Sequence, residues 1–301
     1  MPAIQPPGLL RALFASALFA APAFAQSGGI EIFAGETIFS HGTRVSLSHL
    51  YEERGTAYAG ANETANPTDA EFTRHRLIAG YNYGLNARVT LGALVPFIDP
   101  ELQFDATGGR ASLGESGLGD TSLFGKYRLY TKDAYRRSFN VSFIGGMEVP
   151  TGQTGSVGPT PGDGSWDPFG AFAITESIGR WRFDGLLLYK WNTEGNRGVE
   201  FGDELSLGAS MAYRYWHKPY PGPSHSARIG LLYQDIQSDR RSGSSLANTG
   251  SERLFLRPAL GFHPIPAIDL SINVDVPLYQ RFDGTQLGFD FRTFVAFGFR
   301  F

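Results

Sequence analysis

The residues with chemistry to offer are charged side chains spaced through otherwise apolar, alternating stretches. They are Arg74, Arg76, Lys126, Arg128, Glu148, Arg182, Asp184, Lys190, Glu204, Arg214 and Asp275. In an extended chain successive side chains point to opposite faces, so an alternating segment has two different surroundings. If the apolar surroundings are lipid, a charge facing them costs roughly 2–4 kcal/mol at the bilayer midplane. These residues are therefore expected to line an interior. Both signs are present, which leaves two readings open. The charges could pair and plug a narrow interior, or line a pore that sorts solutes by charge.

Other reactive constellations are weak. Ser40-His41-Gly42 and Ser48-His49 are the nearest hints of a hydrolase. A Ser–His dyad needs both side chains in hydrogen-bond reach, and neighbours on a strand point opposite ways. There is no G-x-S-x-G elbow. The six histidines (41, 49, 75, 217, 225, 263) show no metal-ligand spacing. The run Gly114 to Gly119 lacks the β-α-β surroundings of a nucleotide site. No catalytic residue, metal or cofactor is expected.

The elements that must position the charges are strands. From Phe289 to Phe301 the odd positions are Phe289, Phe291, Thr293, Val295, Phe297, Phe299 and Phe301, against Asp290, Arg292, Phe294, Ala296, Gly298 and Arg300. The same alternation recurs at 123–129, 139–149, 181–191, 204–215 and 270–276, and more weakly at about 36–52, 71–83, 86–97, 166–177, 226–237 and 252–263. In 166–177 and 252–263 apolar residues fall on both faces, so the register there is open. Tight turns at Gly84-Leu85-Asn86, Gly179-Arg180 and Pro264-Ile265-Pro266 alternate with long loops near 53–70, 98–118, 150–165, 193–201, 238–251 and 280–287. Short turns on one side and long loops on the other are the pattern of an outer-membrane barrel. The expected fold is all-β, an antiparallel up-and-down transmembrane barrel of about twelve strands. Val95-Pro96, Val149-Pro150 and Val276-Pro277 are read as strand terminators, with a shaped extracellular rim as the alternative.

Composition agrees. The 301 residues include 38 Gly, 24 Phe and 13 Tyr, with no Cys and a formal net charge of -3. Mean hydropathy is -0.17, too low for a bundle of apolar helices. Zero Cys excludes disulfides and thiolate chemistry, and the absence of a basic excess argues against nucleic acid as a partner. Arg11, the apolar run Ala12 to Ala21 and the A-x-A motif Ala23-Phe24-Ala25 read as a signal peptide cleaved before Gln26. This divides the chain into a signal at 1–25 and a barrel at 26–301. The expected location is the bacterial outer membrane, reached through the Sec route. An even strand count places both termini in the periplasm.

Three segments then carry a resemblance: Gly117-Leu118-Gly119-Asp120-Thr121-Ser122-Leu123-Phe124-Gly125-Lys126-Tyr127, Val149-Pro150-Thr151-Gly152 leading to Trp166-Asp167-Pro168, and the aromatic run Trp181 to Asn192. Together they resemble the MetA-pathway of phenol degradation family of outer-membrane proteins, often labelled transporters, over about residues 35 to 301. The resemblance implies a barrel that passes small organic compounds, and it brings no binding residues with it. Its implied partners are outer-membrane lipid, periplasmic chaperones, the barrel-assembly machinery and small organic solutes. The terminal aromatic Phe301 resembles the signal that this machinery reads. The rival expectation is a surface-interaction barrel with a plugged lumen, and the third is an outer-membrane lipid hydrolase. Twelve strands fall between filled eight-stranded barrels and open sixteen-stranded porins, so a conducting and a plugged lumen both remain open.

Overall fold

The computed structural model describes residues 34–155, 158–196 and 198–301. The signal segment 1–25 and its cleavage site lie outside the described residues. Twelve long strands form the wall: β1 (Thr43–Arg54), β2 (Glu71–Asn86), β3 (Val89–Ala106), β4 (Thr121–Ala134), β5 (Arg137–Val149), β6 (Asp167–Ile178), β7 (Trp181–Lys190), β8 (Glu204–His217), β9 (Ser224–Ile236), β10 (Ser251–His263), β11 (Ile268–Phe282) and β12 (Phe291–Arg300). Each pairs antiparallel with the next, and β1 pairs with β12, so the sheet closes on itself. Closure leaves no edge strand with unpaired backbone groups, the condition for spanning lipid with strands. The seam is finished by Phe301, which exchanges backbone hydrogen bonds of 2.7 and 2.9 Å with Thr43.

The two faces follow the sequence period. Leu47, Leu77, Phe97, Leu187 and Val295 stand on the outside, 42–49% exposed, while Arg44, Glu52, Arg74 and Arg292 stand inside at 3% or less. Phe294, the one aromatic on the otherwise polar face of β12, packs inward with Leu50 and Ala296. Aromatic pairs mark both ends of the outer face, with Trp181 against Tyr213 (4.5 Å) at one and Tyr189 against Trp191 (4.7 Å) at the other. Such girdles sit where hydrocarbon meets the polar interface.

Short connections at 87–88, 135–136, 179–180, 218–223 and 264–267 define one end of the barrel. At 179–180 the turn needs a left-handed residue, and Gly179 supplies it at φ 61°. Long loops at 55–70, 107–120, 150–166, 191–203, 237–250 and 283–290 define the other end. Two short ladders tie the loops together. Ala57–Ala59 pairs with Asn62–Glu63 and Thr285–Leu287, and Arg240–Arg241 pairs with Val199–Glu200 and Ser244–Ser245.

Three boundaries differ from the sequence reading. The first strand begins at Thr43, not near 36. His41 adopts φ 59° and breaks the alternation, and the chain before it leaves the wall. Strand β3 runs on to Ala106 through part of the segment expected as a loop, because Ile98, Leu102 and Phe104 keep the inward period. Pro96 and Pro277 lie within strands and terminate neither. Pro96 falls just past Leu94, where the β3–β4 ladder ends, and Pro277 lies at the irregularity between β10 and β11. Both are places where a missing N–H costs little.

Candidate functional site: a charged and divided lumen

Beside an inward apolar cluster that includes Ile78, Leu94, Phe124, Ile144, Phe169 and Leu188, three features among the described residues shape the interior. The first is a buried cluster of guanidinium, carboxylate and aromatic groups on the β1, β2, β10, β11 and β12 side. Glu52 accepts from Arg54 at 2.9 Å and from Arg74 at 2.5 Å. Asp275 bridges Arg257 (2.5 Å) and Arg292 (2.8 Å). Arg54 lies 3.9 Å and Arg253 4.8 Å over the ring of Phe289, and Arg292 lies 4.1 Å over Phe255. Charges this deeply buried persist only where partners and ring faces replace the lost water. Facing strands hold a second group: Lys190 pairs with Glu148 and lies 3.3 Å from Asp167. Glu204 accepts from Ser206 at 2.7 Å and Gln234 at 2.9 Å.

The second feature is residues 34–38, which run inside the barrel. Lys126 donates to the carbonyls of Ala34 (3.0 Å) and Glu36 (3.1 Å), and Ser142 to that of Gly35 (2.6 Å). The Gly35 N–H donates to Thr175 at 3.0 Å, and the Ile38 N–H to Thr90 at 2.9 Å. Arg182 grips the Glu36 carboxylate and also holds Asp184 at 3.0 Å. A Cβ at Gly35 would run into the Asn140 carbonyl, so only glycine allows this close approach.

The third feature is a pair of cavities, one toward each end. The cavity at the long-loop end has a volume of about 130 Å³. Ile78, Leu94, Ile98 and Ile236 form its apolar wall, and Arg76, Glu148, Lys190 and Glu204 reach into it. Asp120 and Asp163 close it from the loops. Asp120 accepts from the backbone N–H groups of Gly152 (2.8 Å) and Asp163 (2.9 Å). Burial, with the neighbouring Asp163 carboxylate, raises Asp120 to about 6. The cavity at the short-turn end measures about 450 Å³.

Of the charged residues singled out in the sequence, Arg74, Arg76, Lys126, Lys190, Glu204 and Asp275 are buried within the barrel, and Glu148, Arg182 and Asp184 are half-buried there. Arg214 is exposed at the short-turn mouth. Arg128 bends to the rim and donates to the Ala87 carbonyl. The structure joins Glu148 to Lys190 and Arg182 to Asp184, and holds Arg74, Lys126, Arg128, Glu204 and Asp275 on separate partners. Sequence reasoning missed Arg44, Glu52, Arg54, Arg253, Arg257 and Asp269. Glu52 and Arg54 share the parity of the inward Ser48, a signal that was legible. Arg253 and Arg257 lie in the stretch whose register was open. Ser48 faces the lumen, whereas His49 faces outward with its Nε2 3.2 Å from His75 Nδ1, so these neighbours form no dyad. Among the described residues no three His, Asp or Glu side chains gather as a metal site.

The family model described as MetA-pathway of phenol degradation matches residues 55–291. The chain belongs to this family. The barrel of this chain is similar to a solved structure, the COG4313 outer membrane channel from Pseudomonas putida F1, at TM-score 0.68 and 16% identity, covering 88% of this chain and 97% of that one. At that identity the likeness shows the fold. The β domain of the Bordetella autotransporter BrkA aligns at TM-score 0.47 and 11% identity, over 87% of this chain and 100% of that one. The CymD monoaromatic hydrocarbon channel aligns at 0.41 and 8%, over 88% and 90%. These two overlaps are too loose to carry an argument for this phenol-degradation family member. No curated protein sequence matches the chain.

Proposed function

We propose that this barrel lies in the bacterial outer membrane and gives small organic compounds a passive, diffusion-driven path along its lumen. The observation that carries the reading is the divided interior. A cavity enters from each end, and residues 34–38 run through the interior beside inward side chains that include charged groups and an apolar cluster of Ile78, Leu94, Phe124, Ile144, Phe169 and Leu188. Apolar wall beside opposed charges is the lining of a site that takes a small, partly apolar solute. The lumen charges named from the sequence are the groups such a solute would meet. The short-turn end faces the periplasm in this reading, with the loops outside, as in other barrels of this build. The outward apolar band and aromatic girdles support lipid as the surrounding medium. Phe301 at the closing seam supports recognition by the assembly machinery, after Sec export and chaperone escort.

The test is solute flux into liposomes carrying the refolded mature protein, comparing a small sugar with a small aromatic acid. Flux of either above protein-free liposomes is the expected outcome, with the aromatic acid faster. No flux of either through a folded barrel would favour the rival reading, a plugged barrel acting through its loops. The burial of Glu52, Arg76 and Arg292 to 2% or less is the observation on that side.

A further inference from the structure

The two ends of the lumen differ in charge in a way that composition does not suggest. The chain has a formal net charge of -3. The cavity at the long-loop end is mixed, with Asp120, Glu148, Asp163 and Glu204 beside Arg76, Lys190 and Arg241. The cavity at the short-turn end is lined by Arg180, Arg182, Arg214, Lys218, Arg228 and Arg300. Asp269 is the one carboxylate in that lining, and it is engaged by Arg44 at 2.8 Å. Arg182 is likewise satisfied by Glu36 and Asp184. That leaves Arg180, Arg214 and Lys218 on the cavity with no carboxylate of the described residues paired to them.

These cations come from six places: the β6–β7 turn, the start of β7, the end of β8, the β8–β9 turn, β9 and the end of β12. The barrel therefore gathers positive charge that is scattered in sequence into one concave space. A concave wall of one sign concentrates the opposite ion. Guanidinium groups match carboxylate and phosphate oxygens in fork geometry. A volume of about 450 Å³ lies within the range of small-molecule sites.

We propose that the short-turn mouth is a binding site for a small free solute bearing a carboxylate or phosphate. This goes beyond the passage reading, because the vestibule would hold an anion whether or not the lumen conducts.

Isothermal titration of the refolded full barrel in zwitterionic detergent at low salt tests it. Benzoate and inorganic phosphate are the anionic probes, and benzyl alcohol is the neutral control. The variant combines Arg180→Gln, Arg214→Gln and Lys218→Gln, all at the mouth rather than in the buried cluster. Arg110→Gln, exposed on the outer loops and in the lining of neither cavity, serves as the comparison at the opposite end, and heat-modifiable gel mobility reports folding of each variant. Saturable binding of at least one anion is expected, weakening as salt screens the mouth and falling about tenfold or more in the triple variant, the equivalent of roughly 1.4 kcal/mol. Arg110→Gln should leave it unchanged. Tighter benzoate would assign an organic acid, and tighter phosphate an inorganic or ester phosphate. Binding of neither anion would overturn the proposal. So would equal binding of benzyl alcohol, an unchanged affinity in the folded triple variant, or an equal loss in Arg110→Gln.

Discussion

Asp239 shows how one side chain can tie the loops of this barrel to pH. It lies between β9 and β10, with its carboxylate accepting from the Gly202 N–H at 3.0 Å and its own N–H donating to Thr249 at 2.9 Å. Burial raises it from 3.8 to about 7. The folded loops therefore hold the proton more tightly than the unfolded chain does. Their stability is highest below about pH 4 and is lost as pH rises through about 7. The protection factors of the Gly202 and Asp239 amides, which remove the intrinsic pH dependence of exchange, should be higher at pH 5 than at pH 8. Asp239→Asn, which fixes a neutral side chain, should flatten that difference. An unchanged pH profile in Asp239→Asn would show that another group controls the loop contact.

At the scale of elements, residues 34–38 matter because they are not part of the wall. They are held by Lys126 of β4, Ser142 of β5, Thr175 of β6 and Arg182 of β7, so four neighbouring strands anchor one passing segment. Replacing Lys126 and Arg182 together by Ala removes the cationic anchors and leaves every strand ladder intact. Unlike the cluster around Glu52, where losing one partner strands a buried charge at a cost of about 3–5 kcal/mol, the Glu36 carboxylate can turn to water, and Asp184 keeps the Thr175 hydroxyl as a donor at 2.6 Å. Single-channel conductance of the double variant should rise several-fold with unchanged heat modifiability. Unaltered conductance would place the limiting constriction in the arginine cluster on the other side of the lumen.

For the molecule as a whole the controlling condition is the contrast between its two surfaces. Leu187 stands at mid-strand in β7, 44% exposed on the outer face between Phe172 and Leu207 of the neighbouring strands. Leu187→Arg should cost about 2–4 kcal/mol if that face meets hydrocarbon, read as a lower midpoint for denaturant unfolding from lipid vesicles. The same change measured in detergent micelles, where the arginine reaches water, should cost less. Equal losses in both media would mean that the outer face is not the lipid face.

What the sequence by itself determined is the wall. Alternation of Phe291, Val295 and Phe297 against Arg292, Ala296 and Gly298 specifies a strand and its two faces, because side-chain direction in a strand depends only on parity. The spacing of short turns and long loops then orders twelve such strands into an up-and-down barrel, the count the closed sheet shows. Parity also put Glu52 and Arg74 on one face, but it could not say that they meet. Their contact depends on the stagger of β1 against β2, which aligns Glu52 with Arg74. The contents of the lumen were decided only by tertiary structure. Alternation ends at His41, and no periodic signal marks a segment that folds back into the space its own barrel encloses. The cationic mouth has the same origin. Arg180 lies far in sequence from Arg214 and Lys218, and they share one cavity because antiparallel pairing of β7 with β8 sets Arg180 beside Arg214, whose amide donates to the Arg180 carbonyl at 2.9 Å.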